Sequence, residues 1–165
     1  MMERTLVVLK PDAVQRGLMG RIIQRFEDAG FKVVGAKMVW IHEAFAKKHY
    51  DDVGQVGKRR GEKVLQNMVK VLSSSPVVAL CIEGIDSVEN IRKMVGATEP
   101  KSALPGTIRG DFAHTSFTYT DAQNKGVENL VHASGSIEDA KKEIALWFNP
   151  KDLYNYKTVH EAHVF

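Results

Sequence analysis

The sequence predicts an α/β (α+β) fold in which helices cover an antiparallel sheet. Three observations predict it. Short β-branched runs at Thr5–Leu9, Phe31–Ile41, Val77–Ile82 and Asn129–Ala133 have the length and composition of strands. Amphipathic helical patterns follow the first and third runs. The resulting order is strand, helix, strand, then, after a helical insertion, strand, helix, strand. That is the split βαβ, or ferredoxin-like βαββαβ, sandwich with helical insertions. The 165 residues fall in the usual single-domain range, so one domain over 1–165 is expected.

Each element has a local reason. Thr5-Leu-Val-Val-Leu9 is closed by Lys10-Pro11-Asp12, because proline cannot extend a ladder. Ile22, Ile23 and Phe26 recur at helical spacing opposite Arg21, Arg25 and Glu27, and Gly30 supplies the stop. Phe31–Ile41 largely alternates and reads as a second, longer strand. Glu43–Asp52 and about Arg60–Leu72 read as helices, with Gly54–Gly61 as a polar break between them. Ser73-Ser-Ser-Pro76 is a loop, and Val77–Ile82 is a buried third strand. Asp86-Ser-Val-Glu89 has capping-box spacing ahead of a helix that carries Val88, Ile91 and Val95 on one face and ends at Gly96. Thr98–Gly110, with Pro100, Pro105 and two glycines, reads as an ordered loop of the kind that tends to be functional. After the strand at Asn129–Ala133, Ser136-Ile-Glu-Asp139 opens a last helix with Ile137, Ala140, Ile144 and Trp147 inward.

Composition narrows the function classes. A 44% hydrophobic and 26% charged chain is not disordered. Twenty-three basic against 20 acidic residues leaves +3, enough to favour a polyphosphate but too little to indicate a nucleic-acid binder. The single Cys81 forms no internal disulfide and suits a reducing compartment. The N-terminal apolar run is too short for a signal peptide, and Val77–Ile82 is far short of a bilayer span, so a soluble cytoplasmic protein with no membrane partner is expected. Gly54-Gln-Val-Gly57-Lys58-Arg59 imitates only part of a P-loop and follows no strand. No Cys/His spacing fits a structural zinc site.

Four residues carry candidate chemistry. His132, in Asn129-Leu-Val-His132-Ala-Ser134-Gly-Ser136, ends an apolar strand just before a helix start. Such a histidine can attack phosphorus while its other ring nitrogen is held, with helix N–H groups nearby for an anion; equally, it can simply satisfy its hydrogen bonds at a strand end. Arg109, in Pro105-Gly-Thr-Ile-Arg109-Gly-Asp111, offers a planar donor fork on a tight turn, or is a solvated turn arginine. Arg92 flanks the Val88/Ile91/Val95 stripe, where a guanidinium near the buried edge calls for an anion. Lys10, at the end of a buried strand, is a similar case. One nucleophile and three cations are what phosphoryl transfer needs.

Lys10-Pro-Asp12, Pro105-Gly-Thr-Ile-Arg-Gly-Asp111, Asn129 three before His132, and Glu143-Ile-Ala-Leu-Trp-Phe148, in this order, form a specific set. With them the sequence resembles the nucleoside diphosphate kinase family, over Glu3 to about Asp52, Pro76–Phe112 and Asn129 to about Tyr156. The resemblance implies a ping-pong transfer of the γ-phosphoryl of a nucleoside triphosphate, typically ATP, to a nucleoside diphosphate through a phosphohistidine on His132. It implies that Lys10 and Asn129 hold the sugar 3′-hydroxyl and that Tyr50 stands near the transferred phosphoryl. Arg92, Thr98 and Arg109 match phosphate ligands, and Glu143 matches the carboxylate that orients the histidine ring. Mg2+ is expected as cofactor, held mainly by the nucleotide phosphates without a protein cage. A homo-oligomer is expected, with a hexamer favoured.

Three departures stand out. The family's usual carboxylate after the His-x-Ser is Gly135 here, so its contribution is missing or supplied elsewhere. The aromatic pair that sandwiches the base is absent, and Val64 and Leu65 fall near that place, losing about 1 kcal/mol of stacking. A polar insertion at Ala113–Val127 can cap the site, sit at a subunit contact or be a mobile loop. Gly135, the missing aromatics and the basic Lys58-Arg59-Arg60 cluster motivate an alternative: a catalytically weak nucleotide-binding regulatory module. A solvated helix start explains that cluster more cheaply than nucleic acid.

Overall fold

In β1 (Met2–Leu9) the residues from Thr5 on are buried, and so are residues 77–82, with no alternation of exposure. An unbroken apolar strand needs cover on both faces, and the computed structural model, which describes residues 1–164, provides it; Phe165, the last residue of the expected domain, lies outside the described residues. Successive side chains point to opposite sides. Leu6, Val8, Val77, Ala79 and Cys81 enter one core, and Val7, Leu9, Val78, Leu80 and Ile82 the other.

β1 pairs antiparallel with β3 (Val77–Ile85), from Met2 opposite Ile85 to Leu9 opposite Val78. β2 (Lys32–Val39) lies antiparallel on the far side of β3, with a register shift between Val33 and Gly35. β4 (Val131–Ala133) lies antiparallel on the far side of β1 and sets His132 opposite Val8. The order β2-β3-β1-β4 is the ferredoxin-like sheet that the element order predicts.

One face is covered by α1 (Pro11–Gln15), α2 (Met19–Asp28), α6 (Ser87–Val95) and α7 (Ile108–Phe112), through Ile22, Phe26, Ile91 and Ile108. The other is covered by α3 (Glu43–Lys47), a π-helical turn at Lys48–Val53, α4 (Val56–Arg60), α5 (Glu62–Ser73) and α9 (Ile137–Trp147), through Ala46, Tyr50, Leu65, Leu72 and Trp147. α8 (Phe117–Ala122) lies in the insertion, and α10 (Glu161–Val164) ties back to β2 through a 3.0 Å Glu161–Lys32 ion pair.

Several local expectations are corrected. The polar break at 54–61 contains α4, entered through Gln55 at φ 50. The Thr98–Gly110 loop contains a 3-10 turn at Pro100–Ser102 and the start of α7. Asp86 makes no capping box: it sits at φ 45, and its carboxylate takes the Met1 amine at 2.6 Å. β4 starts only at Val131, because Leu130 adopts φ 69 and leaves the ladder. Ile137, expected inward, is exposed, whereas Ser136 does cap α9 by accepting from the Asp139 N–H at 3.1 Å.

Gly110 is where the backbone packs most tightly. A Cβ there would lie far inside contact distance of the Leu104 carbonyl oxygen and carbon, which are backbone atoms with little room to yield. Gly110→Ala is therefore expected to open the turn before Arg109 and to destabilise the fold by about 1–3 kcal/mol, measured as a shift in the urea midpoint at unchanged slope.

Candidate active site

The approach to His132 is built from strained backbone. Leu130, buried and at φ 69, is held by its N–H donating to Asp12 Oδ2 at 2.9 Å and its carbonyl accepting the Lys10 N–H at 2.8 Å. A bulky residue in that region is an outlier that persists only where surroundings impose it. It turns the chain so that the next residues pair with β1 and His132 stands half-buried at the sheet edge.

His132 Nε2 lies 3.0 Å from both oxygens of Glu143, which is buried on α9. The Ser134 hydroxyl donates to the same carboxylate at 2.6 Å and accepts the Leu6 N–H at 3.2 Å. Burial alone would raise the Glu143 carboxyl, but the His132 ring and the His132 and Ser134 hydrogen bonds outweigh it and hold the group below its ordinary range. An ionised carboxylate at Nε2 keeps the neutral ring's proton there and leaves the Nδ1 lone pair free.

Two buried cations stand beside this histidine. Lys10 Nζ donates to Asn129 Oδ1 at 2.8 Å and to the Val127 carbonyl at 3.2 Å, and burial lowers its pKa to about 8. Arg109 donates to the carbonyls of Asn129 (3.1 Å), Gly96 (2.9 Å) and Val131 (2.5 Å), and burial pulls it down to about 10. None of these acceptors is a carboxylate; the field of the buried Asp12 carboxylate favours both charges but does not outweigh their desolvation, and N–H groups remain for an anion. Asn129 is fixed in turn by its Nδ2 donating to the Thr98 carbonyl at 2.7 Å.

These groups line one cavity of about 860 Å³. It brings together Lys10, Tyr50, Arg92, Thr98, Arg109, Asn129, His132 and Glu143, and Val64 lines it as well. Leu65 does not line it: that side chain is buried in the core under α5, one helical step away from the Val64 face. Arg92 lines the cavity from an exposed position, so the desolvation argued for it does not apply. The Tyr50 hydroxyl is buried, and burial pushes its pKa well up.

Four features escape sequence reasoning. Arg59 and Arg60 line the cavity from the last turn of α4, so the basic cluster is a helix end at the rim. Phe117, at the start of α8, also lines it, and its N–H donates to Glu99 Oε1 at 2.8 Å. The insertion returns over α5, where Gly126 fits so closely that a Cβ would clash with the Asn67 carbonyl oxygen. The insertion thus walls part of the cavity, through Phe117, Asp121 and Lys125. At Gly135 a Cβ would lie 2.9 Å from Asp139 Oδ2, so the Asp139 carboxylate fills that space from four residues on. Buried His49, also at the cavity wall, is the fourth.

A sequence model of the nucleoside diphosphate kinase family, described as "Nucleoside diphosphate kinase", matches residues 3–153. The chain belongs to the nucleoside diphosphate kinase family. It is 45% identical to the nucleoside diphosphate kinase of Borreliella burgdorferi over 98% of this chain and 96% of that protein. Identity to the Thermus thermophilus enzyme is 45%, over 92% and 99%. Among solved structures it superposes with TM-score 0.96 and 44% identity, over 99% of this chain and 96% of that one, on a transition-state mimic of the Borrelia burgdorferi kinase with bound vanadate and ADP. A halophilic nucleoside diphosphate kinase from Halobacterium salinarum in complex with CDP gives 0.84 and 35%, over 100% and 99%. Membership brings the activity: a phosphotransferase that passes the γ-phosphoryl of a nucleoside triphosphate to a nucleoside diphosphate. The regulatory-module alternative is not favoured, because the kinase likeness runs through nearly the whole chain. Among the described residues no helix is long and apolar enough to cross a membrane.

Lys10 gives the site a pH signature with two opposite signs. Its folded pKa is about 8 against 10.5 when unfolded, so between these values the unfolded chain binds the extra proton and stability rises with pH. Anion affinity moves the other way, since the cation is lost as pH rises through about 8. ADP titrated calorimetrically should bind progressively more weakly above pH 8, by at most about tenfold per pH unit, and Lys10→Arg should abolish the slope.

Proposed function

We propose that transfer runs by a ping-pong route through a phosphohistidine on His132, with residues 1–165 acting as one kinase domain. Nδ1 attacks the γ-phosphorus, the N–P bond forms as the bond to the β,γ-bridging oxygen breaks, and the diphosphate departs with that electron pair. A second nucleoside diphosphate reverses the step through its terminal oxygen. The observation that carries this reading is the single-sided restraint of His132: Nε2 is held by Glu143 at 3.0 Å, while Nδ1 is left free in a cavity lined by buried cations. As the phosphoryl joins the ring, the Glu143 carboxylate stabilises the positive charge developing at Nε2–H.

Arg92, Thr98 and Arg109 take the phosphates, and Tyr50 flanks the transferred group. Lys10 and Asn129, already paired at 2.8 Å, hold the sugar 3′-hydroxyl. The base lies at the other end, where Val64 of α5 and Phe117 of α8 line the cavity. An aromatic face from the insertion supports stacking that an aliphatic wall alone lacks, with base selectivity remaining loose.

Mg2+ is the cofactor, bound mainly through the nucleotide phosphates, whose charge it neutralises. The donor set fits a loosely held ion: Glu143 is committed to His132 and Ser134, and Asp139 is the carboxylate left beside the histidine loop to meet the ion's waters. We place the protein in the cytoplasm as a homo-oligomer, a hexamer favoured. A free buried Cys81 and exposed Met38 and Trp40 near the end of edge strand β2 support this.

Incubation with γ-labelled ATP and Mg2+ should give an acid-labile, base-stable label that added GDP discharges and that His132→Ala lacks. Folded, nucleotide-binding protein that takes up no label would sink the covalent route. Phe117→Ala should raise KM for nucleotides roughly three- to tenfold, equivalent to about 0.5–1.5 kcal/mol of lost stacking, with kcat largely kept; an unchanged KM would remove Phe117 from the base site.

A further inference from the structure

His49 lies in the π-helical turn, one residue before Tyr50, and its ring is almost wholly buried. Its Nδ1 accepts the indole N–H of Trp147 at 3.2 Å. A neutral imidazole that accepts at Nδ1 carries its proton on Nε2, and that nitrogen is fully buried with no hydrogen-bond partner. The ring stands edge-to-face against His132, with centroids 4.5 Å apart and planes at 82°. The Tyr50 ring centroid is 4.9 Å from that of His49, tilted by 53°.

A buried donor left without an acceptor is costly, and a plain apolar ring would avoid that cost. Its presence beside the phosphoryl acceptor therefore calls for a reason. His49, His132 and Glu143 do bring ligating atoms within 4.8 Å of one another. A metal ion at Nε2 is nevertheless a poor reason, because Trp147 occupies the Nδ1 lone pair and leaves the proton on Nε2. The alternative follows from α9. Glu143 and Trp147 are four residues apart on that helix, so one side of it reaches His132 directly through Glu143 and indirectly through Trp147 and His49.

We propose that His49 is a positioning residue for the phosphoryl acceptor: locked by Trp147 as the neutral Nε2–H tautomer, it packs against the His132 ring and fixes the plane in which Nδ1 attacks. Glu143 alone fixes one atom of that ring, and rotation about the Nε2 contact would still swing Nδ1 off line. The His49 ring closes that freedom. Burial, which takes its pKa down to about 3, keeps it uncharged, so it neither competes for Glu143 nor repels a cationic phosphohistidine. This inference rests on the phosphohistidine route.

The test pairs single-turnover labelling with nitrogen-detected NMR of the histidine rings. In wild-type protein at neutral pH the His49 ring should be neutral with its proton on Nε2; a proton on Nδ1 overturns the inference without any variant. In folded His49→Leu and Trp147→Phe the rate of His132 labelling from ATP should fall tenfold or more, while the Kd for ADP stays within about twofold. His49→Gln, which restores an acceptor for Trp147 but not the ring face, should recover folding stability and not the rate. Labelling at the wild-type rate in folded His49→Leu, or a rate that falls only as far as ADP affinity does, overturns the inference alone. Failure of wild-type protein to label at all is the failure of the phosphohistidine route and removes this role with it.

Discussion

The arrangement depends on holding two desolvated cations by hydrogen bonds to dipoles, with the Asp12 carboxylate acting on both only through its field. Lys10 and Arg109 are both buried, and an ionised group out of water is costly unless its hydrogen bonds are met. A carboxylate partner would meet them and also cancel the charge. Here the donors go to the Asn129 amide oxygen and to backbone carbonyls of Gly96, Val127, Asn129 and Val131. Dipoles stabilise a charge without neutralising it, so the cavity keeps a net positive field for a polyphosphate.

That choice dictates backbone conformations. To aim its carbonyl at Arg109, Gly96 ends α6 at φ 87, where a Cβ would also collide with the Thr107 hydroxyl. Asn129 and Val131 both present carbonyls to the same guanidinium, which forces the residue between them, Leu130, to φ 69. Strain of this kind costs on the order of 1–3 kcal/mol per residue, and Asp12 offsets part of it by accepting the Leu130 N–H. The next residue but one after this strained link is His132. Cation placement and nucleophile placement are therefore one network, with Glu143 and Ser134 anchoring its far end to α9 and β1.

This coupling explains what could be read from the sequence. Strands whose apolar residues run without alternation, such as Val77–Ile82, announce cover on both faces, and the fold order follows. Lys10, Arg109 and His132 are visible as charges or a nucleophile at strand and turn ends, and the kinase-like motif set added Tyr50, Thr98, Asn129 and Glu143. What stayed hidden depends on direction rather than residue type. Val64 and Leu65 are neighbours of equal apolarity, yet one faces the cavity and the other the core. Arg92 is next to a buried stripe but solvated. Asp86 and Ser136 have the same capping spacing, and only Ser136 caps, because the Met1 amine takes Asp86. His49 carries no local pattern, since its significance is its packing against His132 and Trp147.

The three departures from the family's usual pattern are linked by space rather than by sequence. A side chain at position 135 would have to share its volume with the Asp139 carboxylate, which stands 2.9 Å from where a Cβ would be. One carboxylate, reaching back from the first turn of α9, thus stands where one reaching forward from the loop would otherwise point. At that helix end a negative charge is favoured by the helix dipole, and the Asp139 N–H is already satisfied by Ser136. The insertion follows the same logic. Val64 leaves the α5 wall aliphatic, and Phe117 is carried to the same cavity by a segment tethered to Glu99 at one end and packed on α5 through Gly126 at the other. In each case a side chain from another segment occupies the volume, so the cavity's chemistry is set by which groups converge in space and not by their positions in the motif.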